Sequence, residues 1–435
     1  MKLVIIGGGA SGMAAASKAK RIRKDMEVTV IEGGNFVSYA ECGIPYYLGG
    51  YFDDYNRLLH YPVEEFTKKR GIEIINGKTV TAVNPDEQVI VLDDGGKMKY
   101  DFLVIASGAS AKAHPFGNVD NVFTIRTLDS AIKIKKNMNG SEICIIGDGV
   151  LGMELSSEMS RSGKKVTLIS KHDRLFPKMD ENITEDLIRD MKNRVNVVLG
   201  ENVTDLKRNG DKITIQLSRQ TVECDVCIYA VGIRPNTEFL KGSGIAMNEQ
   251  GLVIADRNMK TNYSNIYAVG DCATSYNRIT GKQEWHPLAQ VANKMGRVAG
   301  SCIGGSMMEF KGALNTTVVK ILDYEVGFTG IDEKIAVLNG FTPKSVTVKA
   351  GSRAAYYPGG EPIYLKIVYD EPSMRILGAQ ICGKDGAAWR LNTIETAIYG
   401  GMTMDDLFYN DLGYTPPFGP VWDPIVIGAS LSMRD

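Results

Sequence analysis

No stretch of this 435-residue sequence approaches the roughly 20 consecutive apolar residues a helix needs to cross a bilayer. The opening run Met1–Ile6 is far shorter and breaks into Gly7-Gly8-Gly9 with no small-residue cleavage site, so it reads as a strand and not a secretory leader. Net charge is nearly absent too. Fifty basic against 51 acidic residues leave −1, which offers no general attraction for nucleic acid or an anionic membrane. Cysteine is sparse: seven scattered residues, an odd number, argue against a secreted disulfide framework and for a reducing cytoplasm. What remains is an ordinary globular composition in a chain too long for one core, so about three domains are expected.

Two segments share one internal shape. Leu3 to Ile6 is a short apolar run, followed by a glycine turn, a helix-like stretch from Ser11 to Lys20 and a second strand, Val28 to Ile31. Ile143 to Ile146 repeats the order through Gly147-Asp148-Gly149, a helix to about Ser162 and the strand Val166 to Ile169. Each is a βαβ unit, the building block of a parallel sheet covered by helices. Two more apolar strands end in glycine turns at Gly108 and Gly232, as if closing each unit. After Phe310 the texture changes to β-branched stretches and one helix-like segment near Trp389 to Tyr399, an α+β module without a nucleotide motif.

Gly7, Gly9 and Gly12 form G-x-G-x-x-G between a strand and a helix. The first glycine permits the turn, the second lets backbone approach a pyrophosphate, and the third allows close helix packing. Glu32 ends the next strand, where a carboxylate accepts hydrogen bonds from a ribose diol. Gly147, Gly149 and Gly152 repeat the triplet, but Ser170 stands where the acid would be, with Lys171, His172 and Arg174 after it. A missing acid beside cations suits a ribose 2′-phosphate and leans toward NADPH over NADH; a solvated charge run is the plainer reading. Cys42 is the lone cysteine of Tyr39-Ala40-Glu41-Cys42-Gly43-Ile44-Pro45, and a helix opening just after it would favour the thiolate. Cys224 and Cys227 lie in what reads as one strand, facing opposite sides, so they are expected to be structural and not a redox or zinc pair. No metal site is expected.

Residues 261 to 271, Thr-Asn-Tyr-Ser-Asn-Ile-Tyr-Ala-Val-Gly-Asp, closely resemble the second FAD fingerprint of the two-dinucleotide-domain flavoprotein disulfide reductases. In that family the final aspartate, here Asp271, binds the flavin ribityl chain. The resemblance runs over nearly the whole chain. It implies two Rossmann-like domains, for FAD and NAD(P)H, and a C-terminal α+β dimerisation domain. The expected limits are 1–111 and 235–311 for FAD, 112–234 for NAD(P)H and 312–435 for dimerisation. FAD is expected at Gly7, Gly9, Ala10, Ser11, Gly12, Glu32, Gly33, Ser38, Val80, Ser107, Gly108, Gly270, Asp271, Leu288 and Ala289. NAD(P)H is expected at Gly147, Gly149, Val150, Leu151, Gly152, Glu154, Ser170, Lys171 and Gly232.

Dithiol members carry C-x4-C where this sequence has Cys42 and Tyr47, so it resembles the single-cysteine branch. That branch contains coenzyme A disulfide reductases, NADH peroxidases and oxidases, and persulfide or polysulfide reductases. Peroxidase and oxidase members place a histidine over the flavin where this chain has Ala10, which disfavours peroxide chemistry. Persulfide reductases usually append a rhodanese domain, and none is expected here.

The stretches His60-Tyr61-Pro62, Tyr356-Tyr357-Pro358-Gly359-Gly360 and Tyr414-Thr415-Pro416-Pro417-Phe418 resemble the archaeal-type coenzyme A disulfide reductases. The resemblance implies coenzyme A contacts at Ala14, Lys18, Arg21, Ser38, Glu41, Arg70 and Tyr357. It also implies a homodimer in which Tyr357 and Tyr414 join Cys42 at the catalytic centre, across the subunit boundary. An oxidase or sulfur and polysulfide reductase on the same scaffold is the alternative, and a non-catalytic flavin-bound sensor a third.

Overall fold

The computed structural model describes residues 1–138 and 140–433. The strand Lys2–Ile6 is buried beyond its first residue and sits at the middle of a five-stranded sheet. Its neighbours are Glu27–Glu32 on one side and Phe102–Ile105 on the other, with Ile72–Asn76 and Ile266–Ala268 at the edges, all parallel. Such continuous apolar strands suit a sheet covered on both faces. Helix α1 (Ala10–Ile22) runs from the glycine turn and buries Met13, Ala15, Ala16 and Ala19. The short α2 (Ile44–Leu48) follows a single turn, Glu41–Gly43, that holds Cys42.

The second unit repeats the first. Helix α3 (Leu128–Asn137) leads into the strand Glu142–Ile146, then α4 (Val150–Arg161), the strand Lys165–Ile169 and α5 (Glu181–Arg194). Its five parallel strands run in order Asn196–Val198, Lys165–Ile169, Glu142–Ile146, Val226–Tyr229 and Val122–Thr124. The chain enters this unit through the strand Ala109–Ala111 and leaves it through Ile233–Pro235, and these two connectors pair antiparallel. Helix α6 (Ala289–Ile303) then returns to the first unit and crosses α1. A Cβ at Gly296 would overlap the Ser11 carbonyl oxygen, and one at Gly300 the Ala15 carbonyl oxygen, so the crossing is set by backbone meeting backbone.

The C-terminal module is a five-stranded antiparallel sheet, order Thr317–Ile321, Tyr324–Gly330, Ile376–Gly383, Pro362–Asp370 and Pro343–Gly351. Helix α7 (Glu333–Leu338) and helix α8 (Ala387–Gly400) pack on it. Polar bonds tie this sheet to α5. The hydroxyls of Tyr364 and Tyr324 donate to Asp186 and Asp190 at 2.6 and 2.8 Å, and Lys366 Nζ sits 2.5 Å from both Asp180 and Glu333.

One expectation is corrected here. Cys224 ends the strand Thr221–Cys224 and Cys227 lies in the next, Val226–Tyr229. The break between strands turns both thiols to the same side, where they meet Cys144 inside one apolar cluster, all three buried.

Candidate active site

The two glycine turns have the same geometry. Gly7 (φ +105°) and Gly147 (φ +114°) occupy a backbone region that favours glycine, and a Cβ on either would strike the carbonyl of the adjoining strand, at Ala106 or Ala230. At Gly12 and Gly152 a Cβ would overlap the carbonyl oxygen of Gly7 or Gly147. The middle glycines differ. A Cβ on Gly149 would meet nothing within 4 Å, and one on Gly9 only Glu41 Oε1 at 3.8 Å. Packing does not require those two to be bare; their bareness leaves an open cradle of backbone amides at a helix start, as a dinucleotide pyrophosphate requires.

Around the first cradle the residues expected at FAD come together. Glu32 accepts the Gly8 and Gly34 amides at 2.7 and 2.8 Å, and Thr79, the neighbour of the buried Val80, lies beside Gly33. Ser38 donates its amide to the Gly8 carbonyl. Gly270 packs against Ser11, whose Oγ a Cβ there would meet at 2.5 Å, so Asp271 does return to the first unit. Leu288 and Ala289 begin α6. Ser107 and Gly108 meet the returning chain at Asn236: Ser107 Oγ donates to its carbonyl at 2.6 Å, and its amide donates to the Gly108 carbonyl. In the second unit Gly232 (φ +113°) accepts the Lys112 amide at the connector.

Arg126 is a residue that sequence reasoning missed. Its Nη2 lies 2.5 Å from Asp271 and 3.2 Å from Glu41, and its Nε donates to the Ala109 carbonyl. Burial pushes both carboxyls above their ordinary range, and the guanidinium opposes it. Arg126 thus ties the aspartate to the residue beside Cys42. The only local signal was its place before Thr127, which caps α3.

The Cys42 thiol is open to solvent, though protein surrounds it on most sides. Burial pushes its pKa up, Glu41 and Glu154 add to the rise, and Arg126 only partly offsets them. This runs against the expectation of a favoured thiolate: α2 has only five residues, and burial, with the carboxylates of Glu41 and Glu154 added, favours the neutral thiol. Gly43 packs tightly on Leu58, while the Ala40 amide bonds the Leu58 carbonyl, so the thiol turn rests on the segment leading to His60-Tyr61-Pro62. Tyr46 of α2 donates its hydroxyl to Glu154 of α4, joining the sulfur segment to the second unit.

The basic residues expected at coenzyme A share one region. Arg70 Nη1 bonds Ser17 Oγ at 3.2 Å, beside Lys18, and its guanidinium lies 4.8 Å from the Tyr61 and Phe66 rings. Arg21 stays exposed in the last turn of α1, and Ala14 faces Gly296. Tyr357 and Tyr414 are exposed on the C-terminal module, where the Tyr414 hydroxyl meets that of Tyr356 at 3.4 Å. The fully buried Arg390, also missed, holds both loops through the Ser352 carbonyl and Asp423.

At the second cradle, Ser170 is buried and Lys171 exposed. Arg174 is not free for a phosphate, because its guanidinium bonds the Pro177 and Met179 carbonyls. Val150 and Leu151 begin α4, one turn before Glu154.

Comparison with known proteins matches this arrangement. Residues 1–296 fit the model of the pyridine nucleotide-disulphide oxidoreductases and residues 316–424 that of their dimerisation domain. The NAD(P)H coenzyme A polysulfide/persulfide reductase of Pyrococcus horikoshii is 38% identical over 98% of this chain and 97% of its own. The coenzyme A disulfide reductase of Staphylococcus epidermidis is 30% identical over 96% of each. The solved NAD-dependent persulfide reductase of A. fulgidus superposes with a TM-score of 0.94 at 32% identity, covering 100% of this chain and 83% of that one. With both cradles and a dimerisation module in place, the chain belongs to the pyridine nucleotide-disulphide oxidoreductase family, flavin-dependent enzymes that draw electrons from a nicotinamide nucleotide.

Proposed function

We propose that the chain reduces coenzyme A disulfide with NAD(P)H through Cys42. The observation that carries this reading is the placement of one accessible thiol on a turn flanked by Glu41 and Arg126, with Lys18, Arg21 and Arg70 on neighbouring elements. Those cations suit the anionic ADP end of coenzyme A. The Gly7 cradle, Glu32 and Asp271 would hold FAD, and the Gly147 cradle with Glu154 would hold the nicotinamide nucleotide. Bound FAD supplies the two-electron relay between nicotinamide and sulfur. Cys42 attacks one disulfide sulfur and expels a thiolate, leaving a mixed disulfide that two electrons and two protons return to thiols. The balance is one NAD(P)H and one proton per disulfide, giving two thiols.

We take 1–111 with 235–311, 112–234 and 312–435 as the FAD, NAD(P)H and dimerisation domains, in a cytoplasmic homodimer. The site residues keep the roles the family resemblance implies. A second reading, a coenzyme A persulfide or polysulfide as acceptor, is favoured by the name of the Pyrococcus relative. That relative is covered over 97% of its length, so the reading needs no segment beyond those described above.

The test is turnover of NAD(P)H with coenzyme A disulfide by the FAD-loaded dimer and by Cys42→Ser. The variant should keep its flavin spectrum and lose disulfide reduction at least about a hundredfold, while mass spectrometry of the parent finds coenzyme A on Cys42. Near-normal reduction by Cys42→Ser would eliminate the mechanism.

A further inference from the structure

The repeat allows the two nucleotide units to be compared position by position. The Gly7 amide donates to the Ile31 carbonyl at 2.8 Å, and the Gly147 amide to Ile169 at 2.9 Å. Ile6 pairs with Ile31 and Ile146 with Ile169. Glu32 and Ser170 are therefore equivalent, and so are Gly8 and Asp148. In the first unit Glu32 Oε2 accepts the Gly8 amide at 2.7 Å, and a Cβ on Gly8 would stand 3.3 Å from that oxygen. A side chain between the first two glycines thus leads to the spot held by the Glu32 carboxylate. Val37 closes that route in the first unit.

In the second unit the route is open and carries Asp148. Its residue is 4% exposed, and its two carboxylate oxygens lie 3.1 and 3.3 Å from His172 Nδ1. Ser170 Oγ is too short to take the acid's place and accepts the His172 amide at 3.0 Å. We infer that Asp148 supplies the ribose-binding carboxylate of the nicotinamide-nucleotide unit from the glycine turn, oriented by His172, and makes the site favour a free 2′-hydroxyl over a 2′-phosphate.

The surrounding charges agree. Arg174 is committed to the Pro177 and Met179 carbonyls and lies 3.8 Å from Glu181, and the buried Glu201 is held by Arg219 at 2.9 Å. Lys171 is exposed, as is Asp173. A 2′-phosphate entering here would face the Asp148 carboxylate, whereas a ribose diol would donate to it. The missing acid at Ser170 therefore does not make this an NADPH site.

The inference rests on the second unit binding a nicotinamide nucleotide, and its test does not depend on the sulfur acceptor. ADP-ribose and 2′-phospho-ADP-ribose are titrated calorimetrically into the FAD-loaded dimer of the parent, Asp148→Asn, and the double variant Asp148→Gly, Ser170→Glu. The parent should bind ADP-ribose at least about tenfold more tightly, and Asp148→Asn should shift the ratio about tenfold toward the phosphorylated ligand. The double variant copies the Gly8 and Glu32 arrangement and should restore the parent ratio, even if Asp148→Asn folds poorly. A parent preference for the 2′-phosphate, or a ratio unmoved in Asp148→Asn, overturns the role of Asp148. Binding of neither fragment overturns the nucleotide assignment of the unit itself.

Discussion

Glu154 lies on α4, where the Tyr46 hydroxyl reaches it from the sulfur-bearing segment. Burial pushes its carboxyl up to about 7; the Tyr46 bond pulls it down and the nearby Glu158 pushes it up again. In the unfolded chain the same group releases its proton near 4.5. Between those values the folded protein holds the extra proton. The associated stability is present at lower pH and lost as pH rises toward 7, by at most about 1.4 kcal/mol per unit. The urea midpoint of Glu154→Gln should therefore exceed the parent's by a clearly larger margin at pH 8 than at pH 5. An equal margin at both values would show that Glu154 ionises normally. Cys42 and the glycine triplets were legible in the sequence because their chemistry sits in local spacing. Arg126, Arg390 and the Tyr46–Glu154 bond were not, because the acidic partners of the two arginines are from 33 to 145 residues away and the third is known only once two helices meet.

At the scale of elements, the crossing of α1 and α6 decides whether Asp271 reaches the first cradle. Gly296 and Gly300 let the two backbones touch, so Gly296→Val must push the helices apart. It should cost about 1–3 kcal/mol or more and weaken FAD retention. The checks are thermal melting and flavin-to-protein absorbance after gel filtration; full flavin content with an unchanged melt would refute the role of the crossing. The βαβ repeats were readable because parallel strands are uniformly apolar and end in glycine turns. The reading of 224–227 as one strand failed for a physical reason. Both halves are β-favouring, and Asp225, whose carboxylate accepts the Glu142 amide at 2.9 Å, breaks the run where composition shows no turn.

The whole molecule must bring a second chain to each site if Tyr357 and Tyr414 act on sulfur, because their loops form an exposed face of the dimerisation module. A mixed dimer of Cys42→Ser with a Tyr357→Phe, Tyr414→Phe chain then has one site with both lesions and one with neither. Activity should return to roughly half the parent value per mixed dimer once subunits exchange. No recovery after exchange, verified by native mass spectrometry, would place the tyrosines and Cys42 in the same chain. The last module was legible only as an α+β texture. Its attachment to α5 rests on Tyr324, Tyr364 and Lys366, which in sequence look like ordinary strand residues.

The paired connectors carry a consequence for how such a chain is built. Ala111 stands opposite Ile233 in an antiparallel ladder, which is where the turn of a hairpin would sit. The second unit is, in topological terms, the loop of that hairpin. A loop that folds on its own draws little on the closure entropy of its host, since its two ends emerge already side by side. The first unit therefore keeps its sheet order through the interruption, and the segment between 111 and 233 is inserted into it as a block.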